Sequence, residues 1–206
     1  MNQLDILIQN YLQTIHTPFV TEFLFVMTAF FDVTTHASFF KFSVLVLCVA
    51  VLIYLIRNKR YSFLFVFSLI LGAVVTYILK YVFDVGRPLN GIISVSGQSF
   101  PSYHATISTV FFIMLMYIFD PVVDFSTASS KQGKAGAKIH YRADNHMGSI
   151  KRVVFNTFCV ISIILVSVSR LYLGVHWLSD ILGGIVLGVL VSYFSVYIYK
   201  KLIKKG

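Results

Sequence analysis

A chain of 206 residues, 57% of them hydrophobic and only 12% charged, with a mean hydropathy of +0.81, is too apolar for an ordinary soluble domain; residues 1–206 read as one membrane-embedded domain. The net charge of +9 suggests nucleic acid only until its distribution is read: apart from Lys41, Lys80, Arg87 and Arg170, every Lys and Arg lies in Arg57–Arg60, between Lys131 and Arg152, or in Lys200–Lys205. These are connections between apolar runs or the end of the last one, so they are positive-inside topology signals and no nucleic-acid partner is expected.

No basic stretch precedes the first apolar residues, and a cleaved signal peptide is not expected. Residues 1–36 contain no Lys or Arg and read as an interfacial N-terminal segment. Leu4, Leu7, Ile8, Tyr11, Leu12 and Ile15 share one helical face, with Asp5, Gln9, Asn10 and Gln13 off it. This predicts an amphipathic helix lying on the membrane and ending near Pro18. Phe19–Phe31 is apolar but only 13 residues long and contains Glu22, which reads as interfacial or re-entrant. If it spans instead, the bundle gains a sixth spanning helix and the N-terminus moves inside.

Five runs are apolar and long enough to span: Ser38–Ile56, Tyr61–Phe83, Tyr103–Phe119, Val153–Leu173 and Leu178–Tyr199. A helix of about 19 residues is about 28 Å long, near the hydrocarbon thickness. The expected fold class is all-α, a polytopic transmembrane bundle of five or six spanning helices with an amphipathic N-terminal helix. Cys48 and Cys159 lie within these runs and read as small buried hydrophobes. Gly184 and Gly188 form a small-x-x-x-small pair for close helix packing, within the chain or between two copies in a homodimer. Trp177 is expected at the external interface.

If Arg57–Arg60, the 120–152 loop and the tail are cytoplasmic, the runs alternate without conflict, and residues 84–102 and 174–177 both face outside. Within the loop, 126–149 is rich in Ser, Gly, Ala and Lys and reads as flexible, its cations near anionic headgroups. His140 and His146 read as solvated loop histidines, since no Cys or carboxylate cluster accompanies them; no metal site is expected.

The chemistry concentrates in three stretches at the ends of apolar runs: Lys80 with Arg87-Pro88; Pro101-Ser102-Tyr103-His104; and Ser169-Arg170 with His176 and Asp180. A cation at the centre of a spanning helix costs about 2.5–3.5 kcal/mol. Three of the four cations outside the basic clusters belong to these stretches. Lys80 alone reads as a snorkelling lysine, and Arg87 alone as a loop arginine. Arg170, inside an apolar run, is harder to dismiss. Converging on one external pocket, the three suit a phosphate dianion, with arginine pairing two oxygens and lysine acting as a point charge. Ser102 is a candidate N-cap, and a helix N-terminus favours phosphate. His104 reads as an interfacial histidine or, beside an anion site, a general acid. Gly174 is expected to end the fourth run as a left-handed cap. His176 and Asp180 are then placed either to cap the helix or to pair, the carboxylate fixing the imidazole tautomer and leaving the other nitrogen free to attack.

In order and spacing, these residues resemble the tripartite signature of the type 2 phosphatidic acid phosphatase superfamily, over about half the chain. The resemblance implies a helical bundle that hydrolyses a lipid phosphate or diphosphate without metal or cofactor. By position, His176 is the nucleophile that forms a phosphohistidine, Asp180 orients it, and His104 protonates the leaving group and then helps activate water. Lys80, Arg87 and Arg170 bind the phosphate oxygens, helped by Ser102 and the backbone around Tyr103. Phosphatidate, phosphatidylglycerophosphate and undecaprenyl diphosphate are the candidate substrates, the last suited by the small size and outward site. The chain departs from the family at Tyr103, where Gly is usual: either the turn needs glycine's freedom and the anion site is altered, or this residue is already helical and its ring narrows the pocket. A phosphotransferase using the same pocket, and a non-catalytic lipid-binding membrane protein, are the competing expectations.

Overall fold

The computed structural model describes residues 3–29, 31, 36–89, 91–93, 95–119 and 148–203. Most of the basic loop, including His140 and His146, lies outside the described residues. Among them there are seven helices and no strand: α1 Gln3–Thr14, α2 Pro18–Ala29, α3 His36–Ile56, α4 Lys59–Phe83, α5 Tyr103–Phe119, α6 Ser149–Tyr172 and α7 Leu178–Ile203. The fold is an all-α transmembrane bundle. The helices α3, α4, α6 and α7 are long and apolar enough to cross a membrane. At 17 residues α5 is shorter, about 25 Å at 1.5 Å per residue.

That shorter helix is the centre of the bundle. It packs against α4, α6 and α7, and nearly all its residues from His104 to Ile118 are buried. Its apolar side, with Ile107, Val110, Phe111 and Met114, meets Phe65 and Leu69 of α4 in one core cluster; the Phe65 and Phe111 rings are 5.3 Å apart, edge to face. Conversely, Phe40, Leu55, Phe63, Val153 and Leu190 point outward, as lipid-facing residues must. Several hydroxyls inside the bundle bond back to their own helix: Thr76 Oγ1 donates to the Gly72 carbonyl at 2.7 Å and Ser192 Oγ to that of Gly188 at 2.8 Å. Where no water is available, this satisfies a polar group at little cost.

The glycines of α7 serve packing within the chain. A Cβ on Gly184 would meet the Ser102 carbonyl at 2.8 Å and Ala105 Cβ at 2.9 Å; one on Gly188 would meet Thr109 Cβ at 2.6 Å and the Thr106 carbonyl at 2.8 Å. The two helices therefore touch backbone to backbone.

Local expectations hold in part. The first helix ends at Thr14, near Pro18 as expected, and Pro18 itself opens α2, a first helical position where its missing N–H is not needed. As a helix of 12 residues, α2 is about 18 Å long, well short of the hydrocarbon thickness, and it lies against α6. Cys159 is buried as expected, but Cys48 is exposed, because α3 packs mainly on α4 and leaves much of its circumference outward. The amphipathic reading of α1 holds with a definite sense: Asp5 and Gln9 are buried against the protein, while Leu4, Leu7, Tyr11 and Ile15 are exposed.

The contact between α5 and α7 generates a prediction. Gly188→Ala drives a methyl into the Thr109 side chain and the Thr106 carbonyl, neither of which moves without α5. Overpacking of this kind costs about 1–3 kcal/mol, so the variant should unfold at lower temperature in detergent than the parent.

Candidate active site

The ends of α4, α5, α6 and α7 that carry the chemical residues lie at one end of the bundle. The last turn of α4 presents Lys80, and the helix stops at Asp84, whose left-handed conformation (φ 44°, ψ 44°) lets its N–H cap the Lys80 carbonyl. The chain then loops through Arg87 to the start of α5. Ser102 precedes that helix, its hydroxyl accepting a long 3.5 Å bond from the Ala105 N–H, so the expected N-cap is present. The last turn of α6 carries Arg170, after which Gly174 adopts φ +71°, the left-handed residue expected there. Gly91 lies directly against it: a Cβ on Gly174 would sit 2.7 Å from Gly91 Cα. The loop after α4 is thereby pressed onto the turn that carries His176.

Six of the predicted residues, Lys80, Arg87, Tyr103, His104, Arg170 and His176, line one cavity of about 500 Å³. The other two, Ser102 and Asp180, are fully buried and stand behind it. The Ser102 N–H donates to the Asp180 carbonyl at 3.0 Å, which ties the second stretch to the third. Tyr103 is the first residue of α5 and lacks a positive φ, so its backbone needs no glycine; its ring forms part of the cavity wall.

The bonds of His176 define its tautomer. Nδ1 lies 3.2 Å from Asp180 Oδ2 and Nε2 lies 3.3 Å from Arg87 Nη1. A guanidinium only donates and a carboxylate only accepts. Nδ1 therefore carries the hydrogen, and the lone pair of Nε2 accepts from Arg87 beside it in the cavity wall. Burial, followed by the charges of Arg87, Lys80 and Arg170, holds the ring well below its ordinary 6.5. The contact with Asp180 is thus a hydrogen bond from a neutral imidazole rather than an ion pair. His176 precedes α7 instead of lying on it, so the turn, and not helical periodicity, brings the pair together.

Asp180 is further held by the Trp177 N–H at 2.8 Å and by Ser99 Oγ at 3.3 Å. Two of the cations, Lys80 and Arg87, are held by carbonyls. Lys80 Nζ donates to Gln98 O at 2.8 Å and Ser99 O at 3.1 Å. Arg87 donates to Gly97 O at 3.1 Å, Gln98 O at 3.2 Å and Val175 O at 2.8 Å. Burial lowers Arg87 from its ordinary value, with Asp180 opposing; arginine stays charged regardless. Preorganised cations around a neutral, oriented imidazole can bind an anion and attack it.

Sequence reasoning missed Gln98 and Ser99, which bridge Lys80, Arg87 and Asp180. They carry no recognisable chemistry of their own and act largely through backbone carbonyls; the only signal is that Ser99 lies just before Pro101-Ser102. Trp177 also departs from expectation. It is buried and its indole N–H donates to the Gly86 carbonyl at 2.8 Å, pinning the Arg87 loop instead of marking a lipid interface.

The His176 ring should remain neutral, with hydrogen on Nδ1, as pH falls through 6.5. Nitrogen chemical shifts of labelled protein would report this; titration at or above the ordinary imidazole value would contradict the assignment.

The same architecture occurs in solved structures. A transmembrane PAP2-type phosphatidylglycerolphosphate phosphatase from Bacillus subtilis is 20% identical, with a TM-score of 0.69 over 96% of this chain and 85% of that one. LpxE of Aquifex aeolicus is 14% identical, with a TM-score of 0.65 over 95% and 96%. No curated protein sequence matches. The PAP2 superfamily model matches residues 61–204, which include all three chemical stretches, and the chain belongs to that superfamily.

Proposed function

We propose that this protein is an integral membrane phosphatase that removes the terminal phosphate of a lipid phosphate or diphosphate through a phosphohistidine. The observation that carries the reading is the cavity itself. Three cations and two imidazoles share its lining with apolar residues, among them Ala73, Val74 and Ile78 of α4. A phosphate seated on the charges leaves its apolar body along a membrane helix, which suits a lipid and not a soluble metabolite.

In the proposed reaction, Lys80, Arg87 and Arg170 bind the non-bridging oxygens and offset the charge of the transition state. His176 Nε2 attacks phosphorus, and the bond from phosphorus to the lipid oxygen breaks. With the phosphate dianion seated among the cations, His104 holds a proton and gives it to that oxygen, so the lipid alcohol, or lipid monophosphate from a diphosphate, departs protonated. The hydrogen on Nδ1 and the Asp180 carboxylate stabilise the cationic phosphohistidine. His104, now neutral, takes a proton from water as its oxygen attacks phosphorus, which releases inorganic phosphate and restores His176. Charge stabilisation by the three cations supports metal-independent turnover. Phosphatidate, phosphatidylglycerophosphate and undecaprenyl diphosphate are the candidate lipids; the name of the Bacillus subtilis relative favours the second.

The site is proposed to face the outside of the cell membrane. Arg57, Lys59, Arg60, Lys200 and Lys201 lie at the opposite end of the bundle, and Arg57 there donates twice to the Ile118 carbonyl at the end of α5, at 3.0 and 2.6 Å. A basic end favours the cytoplasm.

Purified protein should release phosphate from at least one of these lipids with EDTA present. His176→Ala should lower kcat by roughly three orders of magnitude or more while expression and folding persist. Metal-dependent release, no release from any of these lipids, or an active His176→Ala enzyme would each overturn the corresponding part of the proposal.

A further inference from the structure

The start of α7 lacks a local cap. Trp177 is its N-cap residue, since the Trp177 carbonyl accepts from the Ile181 N–H at 3.3 Å. An N-cap side chain normally accepts a hydrogen bond from the N–H two or three residues later. An indole has no acceptor. The third helical residue is Asp180, which reaches back to the Trp177 N–H at 2.8 Å, as the acidic partner of a capping box does. One half of the box is therefore present and the other is missing from the local sequence.

The missing half comes from α1. Asp5, 5% exposed, accepts the Ser179 N–H on Oδ1 at 3.0 Å and the Ser179 hydroxyl on Oδ2 at 3.0 Å. Ser179 is the second residue of α7, and its N–H is one of those an N-cap side chain would satisfy. A carboxylate there also complements the positive end of the helix dipole. The same N-terminal segment meets the turn on the other side of His176: His16 Nε2 lies 2.7 Å from the Tyr172 carbonyl, and the Thr17 N–H donates to the Tyr172 hydroxyl at 2.9 Å.

We propose that Asp5 is the N-cap of α7 supplied by α1, and that by holding the first turn of that helix it positions Asp180 against His176. Asp5 touches neither substrate nor reacting atoms; it is a positioning residue. With Ser179 secured by Asp5, the carboxylate of Asp180 has only the Trp177 N–H to cap and keeps its contact with Nδ1. Residue 5 lies outside the matched stretch 61–204, so the three-part signature does not include it. The inference rests on the assignment of His176 as nucleophile and Asp180 as its orienting partner.

The full-length protein in detergent, assayed for phosphate release from the lipid the parent hydrolyses, tests this. Asp5→Ala should lower kcat about tenfold, the scale of a lost cap, with KM within about twofold of the parent. Asp5→Asn, an equally good cap, should retain most of the parent kcat. Ser179→Ala, which keeps the backbone bond, should lose less than Asp5→Ala. Parental kcat in Asp5→Ala, or equal damage in Asp5→Asn and Asp5→Ala, overturns the proposal. Should Asp5→Ala not fold, Asp5→Glu carries the test: a longer side chain misplaces the carboxylate, so lowered kcat at unchanged KM supports the proposal and parental kcat overturns it. Amide exchange at Ser179 judges the cap without turnover, since protection should fall in Asp5→Ala (or Asp5→Glu) and unchanged protection counts against it. If the parent itself releases no phosphate, the proposed function fails while exchange still decides the cap.

Discussion

Where α5 crosses α7, glycines 184 and 188 remove the side chains that would otherwise separate the helices, and the backbones meet. The bond from the Ser102 N–H to the Asp180 carbonyl needs that approach, because it joins the start of one helix to the first turn of the other. His104 is the second residue of α5, and His176 lies just before α7. A methyl on either glycine would meet backbone and Cβ atoms at under 3 Å, so the helices would separate and the two histidines with them. In this way the packing of a membrane bundle sets the geometry of a chemical site.

A second constraint is electrostatic. Lys80, Arg87 and Arg170 share one end of a low-dielectric bundle, where like charges repel strongly and unpaired charges are costly. Backbone carbonyls of Gly97, Gln98, Ser99 and Val175 supply much of the compensation, and the Gln98 carbonyl serves both Lys80 and Arg87. Residues 97–99 therefore serve as acceptors as much as a connection, and the chain before them is clamped by the Trp177 indole at Gly86 and by the contact between Gly91 and Gly174. Burial, joined by these same cations, keeps the His176 ring neutral, which is the state the proposed nucleophile needs.

The N-terminal helix shows how amphipathicity is used beside a bilayer. Its polar face turns inward to the chemical turn, and its apolar face turns outward. In a soluble protein the arrangement would be reversed. The inward face carries Asp5, which completes a helix start that the sequence around Trp177 leaves open.

Much of this was written in the sequence. Apolar runs located the helices α3 to α7 to within a few residues, because a lipid solvent demands continuous hydrophobic stretches. Costly polar residues in such runs marked Lys80, His104, Arg170 and Asp180. Spacing anticipated the caps at Ser102 and Gly174, and the resemblance supplied the roles. What the sequence could not show was anything carried by backbone atoms or by long-range contact. The carbonyls of Gln98 and Ser99 have no residue-type signature. The indole of Trp177 looks the same whether it meets a headgroup or the Gly86 carbonyl. The pairing of Asp5 with Ser179 joins positions 174 residues apart. Local chemistry determined which residues were worth placing in a membrane; only the tertiary structure decided which acceptors hold them, because hydrogen bonds to main-chain oxygens depend on where the chain runs and not on which side chain it bears.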